Sequence, residues 1–368
     1  VFDERHDINL ELIHPSGGKP YCYTGDTRVL TKSYGFVRLD QIPTLIQAGY
    51  NIELATFDTE NGEVEYQIPK RFTIMPWDGE MVKFDTQCLD LCVTPNHKMV
   101  VRKNENYHGN EGDWKLKRAD EITENYKRQK WDIPVNGSWD GPTPDTFELE
   151  ADHFNADPIR ADAKDFLRFL GWFIAEGWTR EKGRIQLSQQ DKSQIVPDIE
   201  AIGLSVHTRN AKIKTTNKAL AGWLDEHVGK GSENKRIPEW VKQQSPERIE
   251  IFLETLVAGD GSYQNGKMDS YSTVSRQLAD DVIECLLKTG RVGNINIRER
   301  NHPKGFETQK TIYAISISES ESRALTKQPE RIDYNGWVYC PTVENETLVT
   351  MRDGNVSISG NTKGYRMQ

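Results

Sequence analysis

Between residues 22 and about 105, apolar positions come in short runs at 28–30, 53–57, 81–84 and 98–102, separated by turn signals such as Asn61-Gly62. Helix-period stretches are scarce there, so the segment predicts strands. Residues 106–150 are polar and contain Asn136-Gly137, Asp140-Gly141-Pro142 and Pro144, which predicts a connector with a boundary near 150. The texture then changes. Phe166, Leu167, Phe169, Leu170, Phe173 and Ile174 predict a helix ending at Glu176-Gly177, and a second one runs from Ile251 to Asp260-Gly261. The two endings lie 84 residues apart, and Ser188 and Ser272 each fall 11 residues after their glycine. Pro197-Asp198-Ile199-Glu200 and Asp280-Asp281-Val282-Ile283-Glu284 continue the match, so the middle of the chain is a degenerate internal duplication. After about 328 short strands return at 336–339 and 347–351, with Asp353-Gly354-Asn355 as a hairpin turn. A β-rich module is therefore interrupted by a duplicated one.

Composition narrows the class. The 368 residues are 36% hydrophobic and 28% charged, enough apolar material for packed cores. No run approaches the roughly 18 apolar residues that cross a bilayer, and the first ten residues carry acids in place of an export signal, so a soluble, cytoplasmic protein with no membrane partner is expected. Cys22, Cys88, Cys92, Cys285 and Cys340 form no CxxC pair, which points to reduced thiols instead of a disulfide frame or a zinc ribbon. The net charge of −9 is unevenly spread: residues 161–325 hold 24 basic against 23 acidic side chains, the remainder 23 against 33. That contrast again separates two modules.

Small residues at 171 and 175, and at 255 and 259, are spaced i, i+4 and allow two helix backbones to approach closely. Side by side, the helices bring Glu176 and Asp260 together, a carboxylate pair suited to a hard divalent cation such as Mg²⁺. These segments resemble the twin signatures of the LAGLIDADG homing endonucleases, with Glu176 in place of the first consensus aspartate. Over residues 161–325 the resemblance implies two four-stranded sheets set against double-stranded DNA, with strands at 294–300 and 310–316 and the basic segment 209–218 supplying contacts. It also implies Mg²⁺ as cofactor, and by analogy with the family's lysines Lys310 is the candidate basic residue beside the cleavage centre.

The outer segments carry different chemistry. Cys22 precedes the turn Thr24-Gly25-Asp26-Thr27, Thr94-Pro95-Asn96-His97 follows, and Ser359-Gly360-Asn361-Thr362 lies near the end. A thiol can attack the preceding carbonyl, that of Tyr21, and a histidine with its unperturbed pKa near 6.5 can protonate the departing amide nitrogen. This set resembles an intein, a protein-splicing domain of the Hint superfamily. Cys22 with Gly25-Asp26-Thr27, Thr94 with His97, the segment 337–343, and Asn361 followed by Thr362 match its blocks in order, and Trp114-Lys115-Leu116-Lys117-Arg118-Ala119 looks like the usual continuation of the domain. The resemblance implies a mostly β, horseshoe-like splicing domain split by an α+β endonuclease. Its parts are a host (extein) segment 1–21, splicing residues 22–150, endonuclease 151–327, splicing residues 328–361 and a second host segment 362–368.

The implied route has four steps. Cys22 forms a thioester, Thr362 attacks it to give a branched ester, Asn361 cyclises to a succinimide, and the ester rearranges to a peptide bond. Two departures stand out: Gly360 occupies the usual penultimate histidine position, and Cys340 the usual block aspartate. Cys340 is read either as a proton mediator near Asn361 or as an additional acyl acceptor, with the first favoured. Cys88, Cys92 and Cys285 are assigned to structure, and His6, His14, His108 and His302 are left unassigned. The whole is expected to be a monomer whose partners are its host segments and the uninterrupted host gene. The competing reading keeps the splicing domain but has a decayed endonuclease retained for DNA binding or structure.

Overall fold

The computed structural model describes residues 8–13, 21–104, 113–150, 158–300 and 310–361. The chain forms two compact units. The first takes its described residues from the chain up to Ser138, Gly290–Asn294, and 319–361; the second is Trp139–Thr289 with Ile295–Ser318.

In the first unit, the strand Arg71–Thr86 runs antiparallel to Glu330–Thr342 over thirteen residue pairs. Glu330–Thr342 also pairs with Tyr23–Thr24, which pairs with Leu89–Val93, and Leu89–Val93 folds back onto Arg71–Thr86. Four strands thus close into a ring, with Asn9–Leu12 added in parallel on the outer edge of Arg71–Ile74. A second sheet has the order Asn355–Gly360, Thr347–Arg352, Arg28–Thr31, Leu54–Phe57, Val64–Gln67. Its first hairpin turns at Asp353 and Gly354, both at positive φ (48° and 77°), the tight turn that matches strand twist. A third sheet joins Lys115–Arg118, Lys98–Lys103, Trp131–Pro134 and Ser322–Ala324. Tyr23, Phe72, Phe84, Leu91, Val93 and Leu348 are fully buried in one core. Each such side chain contributes about 1.5–3 kcal/mol. A smaller cluster gathers Cys22, Met75, Met81, Cys92, Val338 and Cys340.

The second unit repeats one plan. The helix Ala163–Glu176 is followed by Gly177–Arg180, Arg184–Ser188, His207–Arg209 and Lys212–Thr216, and the helix Pro246–Asp260 by Gly261–Gln264, Lys267–Thr273, Val292–Arg300 and Lys310–Ser318. Numbered within each copy, both sheets have the strand order 1-2-4-3. The duplication read from the acid-glycine endings is therefore a duplication of topology. The two helices pack where their small residues meet: a Cβ at Gly171 would strike Thr255 Oγ1 and lie 2.8 Å from the Phe252 carbonyl, and one at Gly259 would strike Ala175.

The unit boundaries differ from those expected. Trp131–Pro134 completes the third sheet by pairing with Lys98–Lys103 and Ser322–Ala324, so the first unit extends to Ser138 and resumes at Glu319, well before 328. Residues 139–150, expected as connector, build the second unit, because Thr146–Leu149 pairs with Ile159–Asp162. Neither pairing is visible in a polar, proline-broken stretch.

Beneath the second acid helix lies a buried ion network. Lys242, Asp281, Glu284 and Lys288 are all 2% exposed or less. Lys242 Nζ lies 3.1 Å from Glu284 and 3.4 Å from Asp281, and Lys288 Nζ lies 2.8 Å from the other Glu284 oxygen. Burial pushes the Asp281 carboxyl up to about 6, against the pull of Lys242. Deleting one member strands the others without water. Lys288→Met should destabilise this unit by about 3–5 kcal/mol, read as a lower urea midpoint, whereas Lys230→Met in the exposed pair with Asp225 should cost under about 1 kcal/mol.

Candidate functional site

Cys22 is fully buried, just before the short strand Tyr23–Thr24. Its amide donates to Thr94 Oγ1 at 3.0 Å, and the Thr94 amide donates to the Cys22 carbonyl at 3.0 Å, so the two segments are locked reciprocally. The turn from Thr94 to His97 closes with the His97 amide on the Thr94 carbonyl at 2.9 Å. Gly25 is required two residues beyond the strand's start, since a Cβ there would lie 2.7 Å from the Tyr339 ring.

Tyr21 and Asn361, far apart in sequence, meet at one sulfur. Cys340 Sγ lies 3.1 Å from the Tyr21 carbonyl oxygen and 3.3 Å from Asn361 Oδ1. Asn361 is itself buried, with its amide donating to the Glu346 carbonyl at 2.5 Å. Tyr23, one residue past Cys22, donates its hydroxyl to the Gly360 carbonyl at 2.8 Å, lies 2.8 Å from Ser359 Oγ, and stacks edge-on to His97 at 4.4 Å. Thus Cys22, Thr94, His97, Cys340 and Asn361 form one cluster. Thr362, His6, His14, His108 and His302 lie outside the described residues.

Burial sets the charge states of this cluster. Burial and the neighbouring Cys340 push the Cys22 thiol well above its ordinary range, so it is neutral at pH 7. Burial likewise pushes His97 down to about 3, against the backbone of Tyr21 and Gly360, and among the described residues neither ring nitrogen completes a hydrogen bond. With that shift His97 starts as neutral imidazole. Gly360 also has a reason. A Cβ there would strike the Lys98 carbonyl and lie 2.9 Å from Leu116, so this backbone has no room for a penultimate histidine.

In the second unit each acid ends its helix and the following glycine turns directly into a strand. Side chains are excluded at both glycines: a Cβ at Gly177 would lie 2.7 Å from the Phe173 carbonyl, and one at Gly261 2.6 Å from that of Ser270. Burial raises the Glu176 carboxyl and the Asp260 charge raises it further, while Lys235 opposes both; Asp260 is raised by burial and eased by Lys235. A cavity of about 370 Å³ lies at Glu176 with Ser188, and one of about 270 Å³ at Asp260 with Ser272. The serines that marked the repeat thus occupy matching places.

Ala175, Ser232 and Lys235 border both cavities. Lys235 Nζ caps the end of the first acid helix, donating to the Ile174 carbonyl at 2.5 Å, and burial brings its pKa down to about 8 despite Asp260 and Glu176. Sequence reading missed Lys235, which falls between the copies in a stretch without periodicity. It missed Tyr23 as well. The Lys310 backbone begins the strand Lys310–Ser318, and its side chain lies outside the described residues. Among the described residues no group of three or more His, Cys, Asp or Glu is arranged to hold a metal ion.

Residues 247–325 match the family model described as LAGLIDADG-like domain. An ATP-dependent Clp protease proteolytic subunit of Chlamydomonas moewusii is 24% identical over 94% of this chain and 36% of its own length. A DNA gyrase subunit of Mycobacterium gordonae is 44% identical over 35% of this chain and 26% of its own length. The chain spans about a third of the first curated relatives it matches. Among solved structures, the endonuclease I-DmoI bound to DNA and Mn covers 42% of this chain and 90% of its own at 14% identity and TM-score 0.30. A class 3 split intein covers 93% and 99% at 11% identity and TM-score 0.31. With the intein-block residues in one buried cluster and a LAGLIDADG-like unit between them in sequence, the chain is similar in make-up to an intein carrying a homing endonuclease.

A pH dependence follows from the buried thiol. Should thioester form by attack of the Cys22 thiolate, its rate, read by hydroxylamine trapping, should keep rising with pH from 6 to 9 without the plateau of an exposed cysteine.

Proposed function

We propose that residues 22–361 excise themselves and join their flanking segments, and that the inserted unit cuts DNA. The observation carrying the splicing reading is the position of Cys340 Sγ, in reach of both the Tyr21 carbonyl and Asn361. It puts groups 340 positions apart in the chain at a single point. The curated relatives support an inserted element, because parts of a Clp protease and of a DNA gyrase, two unrelated activities, resemble one chain.

Cys22 Sγ attacks the Tyr21 carbonyl carbon, the Tyr21–Cys22 C–N bond breaks, and the thiol proton ends on the Cys22 nitrogen. Neutral His97 passes that proton. Cys340, already donating toward the Tyr21 oxygen, stabilises the charge that develops there and relays to Asn361 Oδ1. Thr362 Oγ then attacks the thioester carbonyl, the C–S bond breaks and the proton returns to Cys22 Sγ. Asn361 Nδ2 attacks the Asn361 main-chain carbonyl carbon, breaking the Asn361–Thr362 C–N bond, and the freed Thr362 amine takes the Tyr21 acyl group from its own Oγ. Tyr23 holds the Gly360 carbonyl, fixing the strand from which Asn361 projects. Every transfer is intramolecular, for which positioning can supply roughly 7–11 kcal/mol. The thiol chemistry suits a reducing, intracellular compartment.

In the inserted unit, Glu176 and Asp260 would hold Mg²⁺. They fit it: the Asp260 charge raises the proton affinity of the part-buried Glu176 carboxylate, so a cation between them is favoured, and a magnesium site needs only one or two carboxylates beside water and phosphate oxygens. When bound, the ion would supply Lewis-acid stabilisation of charge at the scissile phosphate. Lys235 would serve both carboxylates, and each cavity would take one strand of double-stranded DNA.

Expressed between two tag proteins, the chain should yield a ligated product lacking 340 residues by mass, and Cys22→Ala should abolish it; unligated fragments alone would refute splicing. Glu176→Ala with Asp260→Ala should stop Mg²⁺-dependent cutting of the uninterrupted host gene by at least about a hundredfold while splicing continues. Wild-type chain that binds but never cuts this DNA would identify a decayed nuclease.

A further inference from the structure

The strand Asn9–Leu12 lies upstream of Cys22 and so, on the splicing reading above, belongs to the host chain; yet it is built into the splicing unit. Asn9 to Leu12 pair in parallel register with Arg71 to Ile74, and the Ile13 amide extends the ladder to the Ile74 carbonyl at 3.0 Å. Ile8 and Leu10, two residues apart, point inward as strand geometry allows, and the alternation breaks beyond them. Ile8 is buried in the main core and Leu10 packs against it, Asn9 and Leu12 face outward, and Leu12 is 62% exposed. Ile13 packs against the cluster holding Cys22 and Cys340. Glu11 pairs with Arg71 at 3.4 Å.

We propose that the outer edge of Arg71–Ile74 is a docking site for the host polypeptide, taking an extended segment with apolar residues 14, 12 and 9 positions before the nucleophile. Main-chain pairing supplies affinity and the inward apolar positions supply selectivity, as in strand addition to a sheet edge. The site is distinct from the scissile bond. Three strand spacings, from Asn9–Leu12 across Arg71–Thr86 and Glu330–Thr342 to Tyr23–Thr24, separate the docked segment from the nucleophile, about 14 Å. Residues 14–20 bridge them, and eight peptide steps reach at most about 28 Å. Docking therefore shortens the leash on Tyr21 and restricts where its carbonyl can go, lowering the entropy that must be lost to bring it to Cys22. Arg71–Thr86 also carries the effect directly, since Thr73 faces Cys340 in the ladder.

The test uses the full chain. Replacing residues 8–13 by alternating Gly and Ser, with 14–21 unchanged, should slow thiol-induced cleavage at Tyr21–Cys22 by at least tenfold while amides of Leu89–Val93 stay protected from hydrogen exchange. Arg71→Glu alone should slow it about two- to fivefold, and Glu11→Arg with Arg71→Glu should restore it. An unchanged rate in the Gly-Ser variant, or failure of the charge swap to restore the rate, overturns the proposal. In the Cys22→Ala chain, amides of residues 9–13 should exchange slowly; free exchange overturns docking even if no thioester ever forms. Slow exchange in a parent chain that makes no thioester would instead refute splicing and leave the docked segment standing.

Discussion

Everything in the first unit depends on one pairing, the thirteen-residue antiparallel ladder between Arg71–Thr86 and Glu330–Thr342. Its strands come from opposite sides of the inserted unit. The register that sets Thr73 against Cys340 fixes the sulfur between Tyr21 and Asn361, and a slip of one residue would turn that thiol to the other face of the sheet. The ring formed with Tyr23–Thr24 and Leu89–Val93 removes the freedom to slip.

Within that frame the splicing cluster is held uncharged. A thiol raised by burial sits beside an imidazole lowered by burial, so ionising the pair is far less favourable than for the same groups in water. The acid pair of the second unit reverses this arrangement. Glu176 is part-buried and Asp260 more exposed, the Asp260 charge acts on Glu176, and Lys235 interacts with both. One unit thus restrains charge and the other gathers it, which on the proposed function suits controlled proton transfer in the first and a cation with a polyanion in the second.

Much of this was legible in the sequence because chemistry and periodicity coincide. The acid-glycine endings, the small residues at 171, 175, 255 and 259, and the serines at 188 and 272 gave the helix pair and its repeat. Cys22, His97 and Asn361 are reactive types in recognisable order. What stayed hidden depends on approach in space. Lys235 lies in an aperiodic linker and is placed by the end of another helix. Tyr23 reads as a core aromatic until its hydroxyl is seen on Gly360. Gly360 itself reads as a lost histidine, whereas its neighbour Lys98 leaves space only for hydrogen. The boundary near 150 failed for a related reason, since an isolated pairing of Thr146–Leu149 with Ile159–Asp162 has no local signal.

The divided first unit has a consequence for biosynthesis. About 180 residues separate Ser138 from Glu319, and the ribosome needs roughly 9–36 s to add them at 5–20 residues per second. During that interval Arg71–Thr86 lacks its long partner and Cys22 has neither Cys340 nor Asn361 beside it. On the proposed splicing reading, translation itself thus acts as a clock, completing the cluster around Cys22 only when the downstream junction is nearly made.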